Sequence, residues 1–342
     1  MDNTQSEQST RLSKPTAVII SDVHYSLSTL PLADTAFRAA IDKAALLGVP
    51  VIDAGDVTND KAIIRAEVAN ALIQTLEYAR KKHVGIYFLV GNHSMINEKG
   101  KDHALEFLRP YATIIDTPQQ YVEAGVVLIP YQNDSDKLLE IIKSIHPGPI
   151  LIMHQGFMGA AMGDYVVDKT SIPPDAVKDF TVFSGHYHRH QTIGTVTYIG
   201  SPYTMSFGEA NDGPKGFLIL NSDGTYQREI LHLRKHVKVE RDIAHAFIPE
   251  PGVNKDDLLW LKITGPASHL YALNKELLGR AHIGHSNFKL DLIPDSAGPS
   301  EVLTPTTKMT DLQVLEKLIN SHSETDERRQ YLKELAHALL DG

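Results

Sequence analysis

The chain contains no cysteine at any of its 342 positions. This absence excludes disulfide bonds, iron–sulfur clusters and metal sites built from thiolates, and it fits a reducing, cytoplasmic location. The chain also lacks any apolar run close to the ~20 residues that a membrane-spanning helix needs, so we expect no membrane insertion. Its first ten residues are polar and acidic, which argues against a signal or transit peptide.

Positive charge is also scarce: the chain has 33 Lys and Arg residues against 42 Asp and Glu residues, and its formal net charge is −9. An acidic total is unusual for a nucleic-acid enzyme, although binding depends on local patches. One basic cluster lies where alternating apolar residues predict a pair of exposed strands. It could contact DNA, or it could be a charged strand edge that resists aggregation. Its members are Arg228, Arg234, Lys235, Lys238 and Arg241.

Five short motifs rich in Asp, Asn and His each follow an apolar run that predicts a buried strand. Any one of them alone would be an ordinary turn or a polar surface segment. Their fixed order and shared position predict a common site, because open α/β sheets place sites at the carboxyl ends of their strands. The motifs are Ser21-Asp22-Val23-His24, Gly55-Asp56-Val57-Thr58-Asn59, Gly91-Asn92-His93-Ser94, His154-Gln155-Gly156 and Gly185-His186-Tyr187-His188.

These residue types are ligands of divalent metal ions, and they suit manganese, iron, zinc or cobalt better than calcium. Two such ions about 3.5–4 Å apart can activate water and clamp the oxygens of a phosphate ester. Asp22 and His24 are two residues apart, so an extended backbone would point both toward one ion. Gly55 permits an unusual turn that aims Asp56 inward.

The ordered set resembles the calcineurin-like metallophosphoesterases, whose pattern is D-x-H, G-D, G-N-H-D/E, H and G-H-x-H. The resemblance implies an α/β fold, a four-layer αββα sandwich, with two metal ions. It implies one ion held by Asp22, His24, Asp56 and His188, and a second held by Asp56, Asn92, His154 and His186. Asp56 would bridge them. His93 would be catalytic without binding metal, contacting the scissile phosphate or protonating the leaving group. Ser94 departs from the acid that is usual at its position.

A later segment, Tyr198-Ile199-Gly200-Ser201-Pro202 through Ser206-Phe207-Gly208-Glu209 and then Lys215-Gly216, is similar to SbcD-type DNA repair nucleases. That resemblance implies a metal-dependent DNA exonuclease and endonuclease subunit, with Mn²⁺ as the expected metal. It implies DNA, an SbcC-type coiled-coil ATPase and a second copy of the chain as partners. Two alternatives stay open: a phosphatase or small-molecule phosphodiesterase of the same fold, and a catalytically weak metal-bearing scaffold.

The patterns predict four segments along the chain. A disordered tail covers 1–14, the nuclease domain 15–235, a small α+β capping domain 236–298, and a linker with C-terminal ATPase-docking helices 299–342. Helical periodicity occupies about 30–47, 60–82, 102–109, 134–145, 267–278 and 310–340. The C-terminal helices could instead fold back on the core.

Overall fold

The computed structural model describes residues 13–61, 63–97, 102–121, 125–164, 166–285, 287–295, 316, 319–320 and 325–341. Most of the tail expected at 1–14 therefore lies outside the described residues. So do the linker beyond residue 295 and four apolar residues that would form one face of the first predicted C-terminal helix, Leu312, Val314, Leu315 and Leu318. The chain divides into two compact units, one made of residues up to 204 with 211–233, the other of 205–210 with residues from 234 onward.

The first unit is built from strands that are mostly short and buried. They are β1 (Pro15–Ile20), β2 (Val51–Asp53), β3 (Ile86–Leu89), β4 (Thr113–Ile115), β5 (Gln119–Tyr121), β6 (Val126–Ile129), β7 (Ile150–His154), β8 (Thr181–Gly185), β9 (Gln191–Ile193), β10 (Val196–Tyr198), β11 (Gly216–Asn221) and β12 (Tyr226–Ile230). Three α-helices of this unit are α1 (Leu30–Leu47), α2 (Ala66–Lys81) and α3 (Ser135–Ser144).

Two six-stranded sheets face each other in this unit. One has the order β12-β11-β1-β2-β3-β4 and the other β5-β6-β7-β8-β10-β9. Strands β1 to β4 run parallel, as do β6, β7, β8 and β10. Apolar side chains from both sheets, such as Ile19, Ile52, Ile152 and Phe183, form one shared core.

Helices cover the outer faces of the two sheets. On α1, Phe37 packs against Phe88 of β3 with ring centroids 5.7 Å apart. On α3, Leu138 and Ile142 join a second core with Val127 of β6. Helix, sheet, sheet and helix are therefore the four layers, and the predicted αββα sandwich is confirmed. Burial of both faces explains why the central strands read as continuous apolar runs.

The second unit has a parallel three-stranded sheet of its own. Its strands, in spatial order, are β13 (His236–Asp242), β14 (Leu258–Gly265) and β15 (Lys289–Pro294). Helices α4 (Ala267–Leu270), α5 (Lys275–Ile283) and α6 (Asp326–Asp341) accompany it. On α6, Ala336 is buried and packs in one apolar cluster with Leu277 of α5. This part of the C-terminal segment therefore folds back on its own unit.

Several predicted helices have other bounds in the structure. The helix expected at 60–82 begins only at Ala66, and the one expected at 102–109 is a single 3-10 turn, Glu106–Leu108. The helix expected at 267–278 is two helices, because the Asn274 side chain accepts two main-chain N–H groups of the next turn and starts α5 anew. Among the described residues, none of the helices combines the length and hydrophobicity that crossing a bilayer requires.

Candidate metal centre

The five motifs lie at the ends of β1, β2, β3, β7 and β8. These strands belong to both sheets, so the site lies along one edge of the sandwich where parallel strands of each sheet end. The side chains collect into two groups, each able to hold a metal ion. One consists of Asp22, His24 and His188, and the other of Asp56, His154 and His186. Within each group, one donor atom per residue lies within 4.8 Å of the others.

In the first group the two imidazoles face each other. Nε2 of His24 lies 3.2 Å from Nε2 of His188, and these atoms lie 3.9 and 4.0 Å from Oδ1 of Asp22. The Asp22 carboxylate accepts hydrogen bonds from the Ser21 hydroxyl at 2.7 Å and from the His186 N–H at 3.2 Å. These contacts orient the carboxylate toward the two imidazoles.

In the second group an amide lies beside the carboxylate and the two imidazoles. Nε2 of His154 lies 3.1 Å from Oδ2 of Asp56 and 3.0 Å from Oδ1 of Asn92. The same Asn92 oxygen lies 2.9 Å from Nδ1 of His186. The structure thus brings Asn92 to the group in which the resemblance places it. Oδ1 of Asp56 accepts the main-chain N–H of His93 at 2.9 Å, which ties the second and third motifs together.

The backbone at these motifs is strained rather than extended. Among the described residues, five residues other than glycine have φ in the left-handed region. Four of them belong to the two groups: Asp22 (53°), His24 (48°), Asp56 (57°) and His186 (86°). Such conformations cost on the order of 1–3 kcal/mol each and cluster at functional sites. The expectation that an extended backbone aims Asp22 and His24 together is therefore wrong, because β1 ends at Ile20 and a left-handed turn aims them instead.

Glycines permit the close approach of neighbouring loops. Gly55 has a φ of 111°, as its position before Asp56 predicts, and a Cβ there would lie 2.2 Å from Nδ1 of His154. At Gly185 a Cβ would lie 2.1 Å from the Ser21 hydroxyl. Since real contacts never come so close, side chains at either position would displace the site.

Electrostatics divides the histidines into two classes. Burial lowers the pKa of His24 to about 4 and that of His186 to about 4, so both are neutral at pH 7 and have a free lone pair. Burial would also lower the pKa of His154, but the charge and hydrogen bond of Asp56 outweigh it and raise that pKa to about 9. His154 in turn outweighs the effect of burial on Asp56 and holds its pKa below the usual range. Without metal, these two form a buried ion pair.

The donor set fits divalent metal ions. Nδ1 of His154 lies 2.7 Å from the Ala54 carbonyl and donates to it, so Nε2 is the atom left for a ligand. Nδ1 of His24 is buried and has no hydrogen-bond partner within the described part of the chain. Carboxylate, amide and imidazole donors without thiolate suit borderline or hard ions.

His93 is oriented by the main chain of Asn59, to which the sequence pattern assigns no role. Its Nδ1 lies 2.6 Å from the main-chain oxygen of Asn59 in the second motif, so Nδ1–H donates to a carbonyl. The His93 ring also meets His24 edge-on, with centroids 4.8 Å apart. The Ser94 hydroxyl is fully buried and makes no hydrogen bond to described residues, so it does not support His93. A main-chain partner leaves no side-chain signal in a sequence.

Tyr131 contacts the second group, which the sequence did not predict because Tyr131 lies in none of the five motifs. Its ring stacks on His186 with centroids 6.0 Å apart and meets His154 edge-on at 6.2 Å. The same ring lines a cavity of about 760 Å³ together with His103, Asp116, Gln132 and Lys137. Tyr131 therefore forms a wall between this cavity and the second group.

The basic cluster at 228–241 does not form the predicted strand pair. Arg228 lies on β12 in the first unit, whereas Lys238 and Arg241 lie on β13 in the second. The cations are engaged locally: Arg228 donates to the Pro214 carbonyl at 2.7 Å, and Arg241 pairs with Glu250. The alternation of apolar residues there reflects two separate sheets.

Comparison with known proteins shows that the chain is similar to Exonuclease subunit 1 of Enterobacteria phage T4. It is 28% identical over 200 residues, which is 54% of this chain and 57% of the relative. The match therefore spans little more than half the length of that protein. No family model matches the chain.

Among solved structures, that of an archaeal phosphodiesterase aligns with 63% of this chain and 99% of its own chain, at 16% sequence identity. Its TM-score of 0.33 is too low to indicate a shared fold. The motifs and the phage relative together confirm that the chain resembles the SbcD-type nuclease subunits of the calcineurin-like metallophosphoesterase superfamily.

Proposed function

We propose that this chain is the nuclease subunit of an SbcCD-like DNA repair and recombination complex, and that it hydrolyses DNA phosphodiester bonds at a two-metal site. The observation that carries the proposal is the pair of adjacent ligand groups, one around Asp22 and one around Asp56. The similarity to a phage exonuclease subunit favours a nuclease over a phosphatase. The absence of cysteine fits work in the cytoplasm.

Asp22, His24 and His188 would hold one divalent ion, and Asn92, His154 and His186 the other, with Asp56 shared between them. Mn²⁺ is the expected ion. Bound ions would supply positive charge for the phosphoryl oxygens and an activated water. Asp56 is suited to sharing because it bonds His154 of one group and influences the pKa of His24 in the other.

His93 would act on the leaving oxygen. With Nδ1–H bonded to the Asn59 carbonyl, Nε2 is the atom that gives or takes a proton. The ring lies beside His24, so its exchangeable proton is close to the first group. The usual acid would orient this imidazole, and its absence at Ser94 is what favours a catalytically weak scaffold. The Asn59 carbonyl would orient the ring instead, which speaks against that alternative.

The second unit would form the cap over DNA, and α6 would contact the ATPase partner. The face of α6 that carries Leu332 and Ala336 is buried within its own unit. Tyr331, on the other face, is 60% exposed and is the residue we expect at that interface. A second copy of the chain would complete the assembly.

One assay tests the proposal. Linear duplex DNA, bis-p-nitrophenyl phosphate and p-nitrophenyl phosphate are incubated side by side with Mn²⁺ or with a chelator. A nuclease cleaves the DNA and the diester only with metal, and Asp56→Asn abolishes both activities. Asp42→Asn is the matched control. Asp42 lies on α1, outside the two ligand groups, and its exposed carboxylate contacts Tyr78 and Lys82. Cleavage of the monoester alone would indicate a phosphatase, and no cleavage would indicate a scaffold.

A further inference from the structure

The Gly200-Ser201 and Lys215 segments, which carry the resemblance to SbcD-type nucleases, converge on the backbone of one metal-ligand candidate. The main-chain oxygen of His188 accepts a hydrogen bond from the Ser201 N–H at 3.0 Å. It also accepts one from Nζ of Lys215 at 2.8 Å. Two segments separated along the chain therefore hold the same carbonyl.

Lys215 is buried, with its side chain only 7% exposed. A buried ammonium is costly unless its three donors are satisfied. Here Nζ bonds the Ser201 hydroxyl at 3.0 Å and Asp212 at 2.9 Å in addition to the His188 carbonyl. Asp212 is buried as well, so its charge balances that of Lys215. The ammonium is thus hydrogen-bonded to the loop that carries His188.

Gly200 allows this approach. Its φ is 80°, and a Cβ there would lie 3.0 Å from the His188 oxygen and 2.9 Å from the His190 nitrogen. His190 is itself tied back, because its Nδ1 lies 2.7 Å from the Tyr198 carbonyl. The strand that precedes Gly200 and the loop after β8 therefore run in close contact.

The His188 side chain needs such an anchor more than the other members of its group. It is 28% exposed, whereas the side chains of His24 and Asp22 are 4% and 0% exposed. The His188 side chain is therefore packed less tightly than the side chains of His24 and Asp22. Its position then depends on its backbone, which follows the strained residue His186.

We propose that Lys215 is a positioning residue, an inference that rests on the proposed function. Together with Ser201, Lys215 fixes the His188 backbone and thereby sets the metal affinity of the first group. Groups that orient a metal ligand typically contribute about 10–100-fold to metal affinity. Lys215 contacts this group through the His188 carbonyl.

The test is Mn²⁺ titration by calorimetry of the full-length protein and of the double variant Lys215→Met with Asp212→Asn, which avoids leaving Asp212 as a buried unpaired charge. We expect one ion to bind as in wild type and the other about 10–100-fold more weakly. The kcat for a diester should fall at low Mn²⁺ and recover at high Mn²⁺, with KM unchanged. Lys43→Met, which loses a cation bonded to Glu229 in the same unit, is the control and should bind both ions normally.

Once His188 has been replaced by Ala, adding the Lys215 and Asp212 changes should weaken the same ion little further, because all of them act through one ligand. Wild-type affinity for both ions in the double variant, or equal weakening of both, would overturn the inference. If that variant does not fold, Ser201→Ala decides, since it removes the hydroxyl that lies 3.0 Å from Nζ of Lys215 and 3.4 Å from the His188 carbonyl. A weaker first ion supports the anchor, and unchanged affinity contradicts it. Failure of the wild type itself to bind two ions would instead overturn the proposed function.

Discussion

Removing the charge of Asp56 should reverse the protonation of His154 in the metal-free protein. The pKa of His154 is about 9 because Asp56 outweighs burial, and its ordinary value is 6.5. That difference corresponds to about 3 kcal/mol of stabilisation of the metal-free fold. A raised pKa stabilises fully below 6.5, and the contribution disappears as the pH rises through about 9. In Asp56→Asn, burial is opposed only by the smaller effects of Asp22 and the Ala54 carbonyl, so the pKa should fall.

Nitrogen-15 NMR of labelled histidine side chains measures this directly. Wild-type protein without metal should show a buried imidazolium at neutral pH that titrates near 9, and Asp56→Asn should show a neutral imidazole instead. Denaturation across the same pH range should show stability falling in wild type but not in the variant. A neutral His154 in metal-free wild type at pH 7 would refute the reasoning. Zn²⁺ should abolish the high-pH titration in wild type, because the lone pair on Nε2 is then used.

Three further predictions follow from contacts around the site. His93→Ala should leave two ions bound and lower the rate by ~10²–10⁴, the usual size of an acid–base contribution, as metal analysis with kinetics would show; loss of an ion would mean that His93 is a ligand. Ser94→Asp places a carboxylate in a fully buried position where the Ser94 hydroxyl bonds none of the described residues, so it should destabilise the protein by about 3–5 kcal/mol in denaturant titrations; a shift of the pH–rate profile without destabilisation would show that an acid at 94 reaches His93. Gly91→Ala puts a Cβ 2.2 Å from Oδ1 of Asp56 and should weaken metal binding in calorimetry, whereas Gly163→Ala meets nothing within 4 Å and should not; equal affinities in the two would contradict the close approach.

The layers of the fold and the identity of the candidate ligands could be predicted because both depend on local pattern. Strands buried on two faces read as apolar runs, and polar residues at their ends converge in any parallel sheet. The way Asp22 and His24 reach one point could not be predicted. It depends on left-handed backbone at both residues, which the general preference of non-glycine residues disfavours.

Other features were missed because they involve the main chain or distant segments. The Asn59 carbonyl that orients His93 and the His188 carbonyl held by Lys215 have no side-chain signature. The break in the helix expected at 267–278 depends on capping by Asn274, which a periodicity of apolar residues does not reveal. The strand pair predicted around the basic cluster was wrong because residues that are close in sequence lie in different sheets.

The most direct measurement is anomalous diffraction from crystals soaked in Mn²⁺. A two-metal centre predicts one peak among Asp22, His24 and His188 and a second among Asn92, His154 and His186, with Asp56 contacting both. In crystals of Asp56→Asn at least one peak should be lost. A single peak in wild type, or a peak that excludes Asp56, would contradict the two-metal mechanism on which the proposed nuclease activity depends.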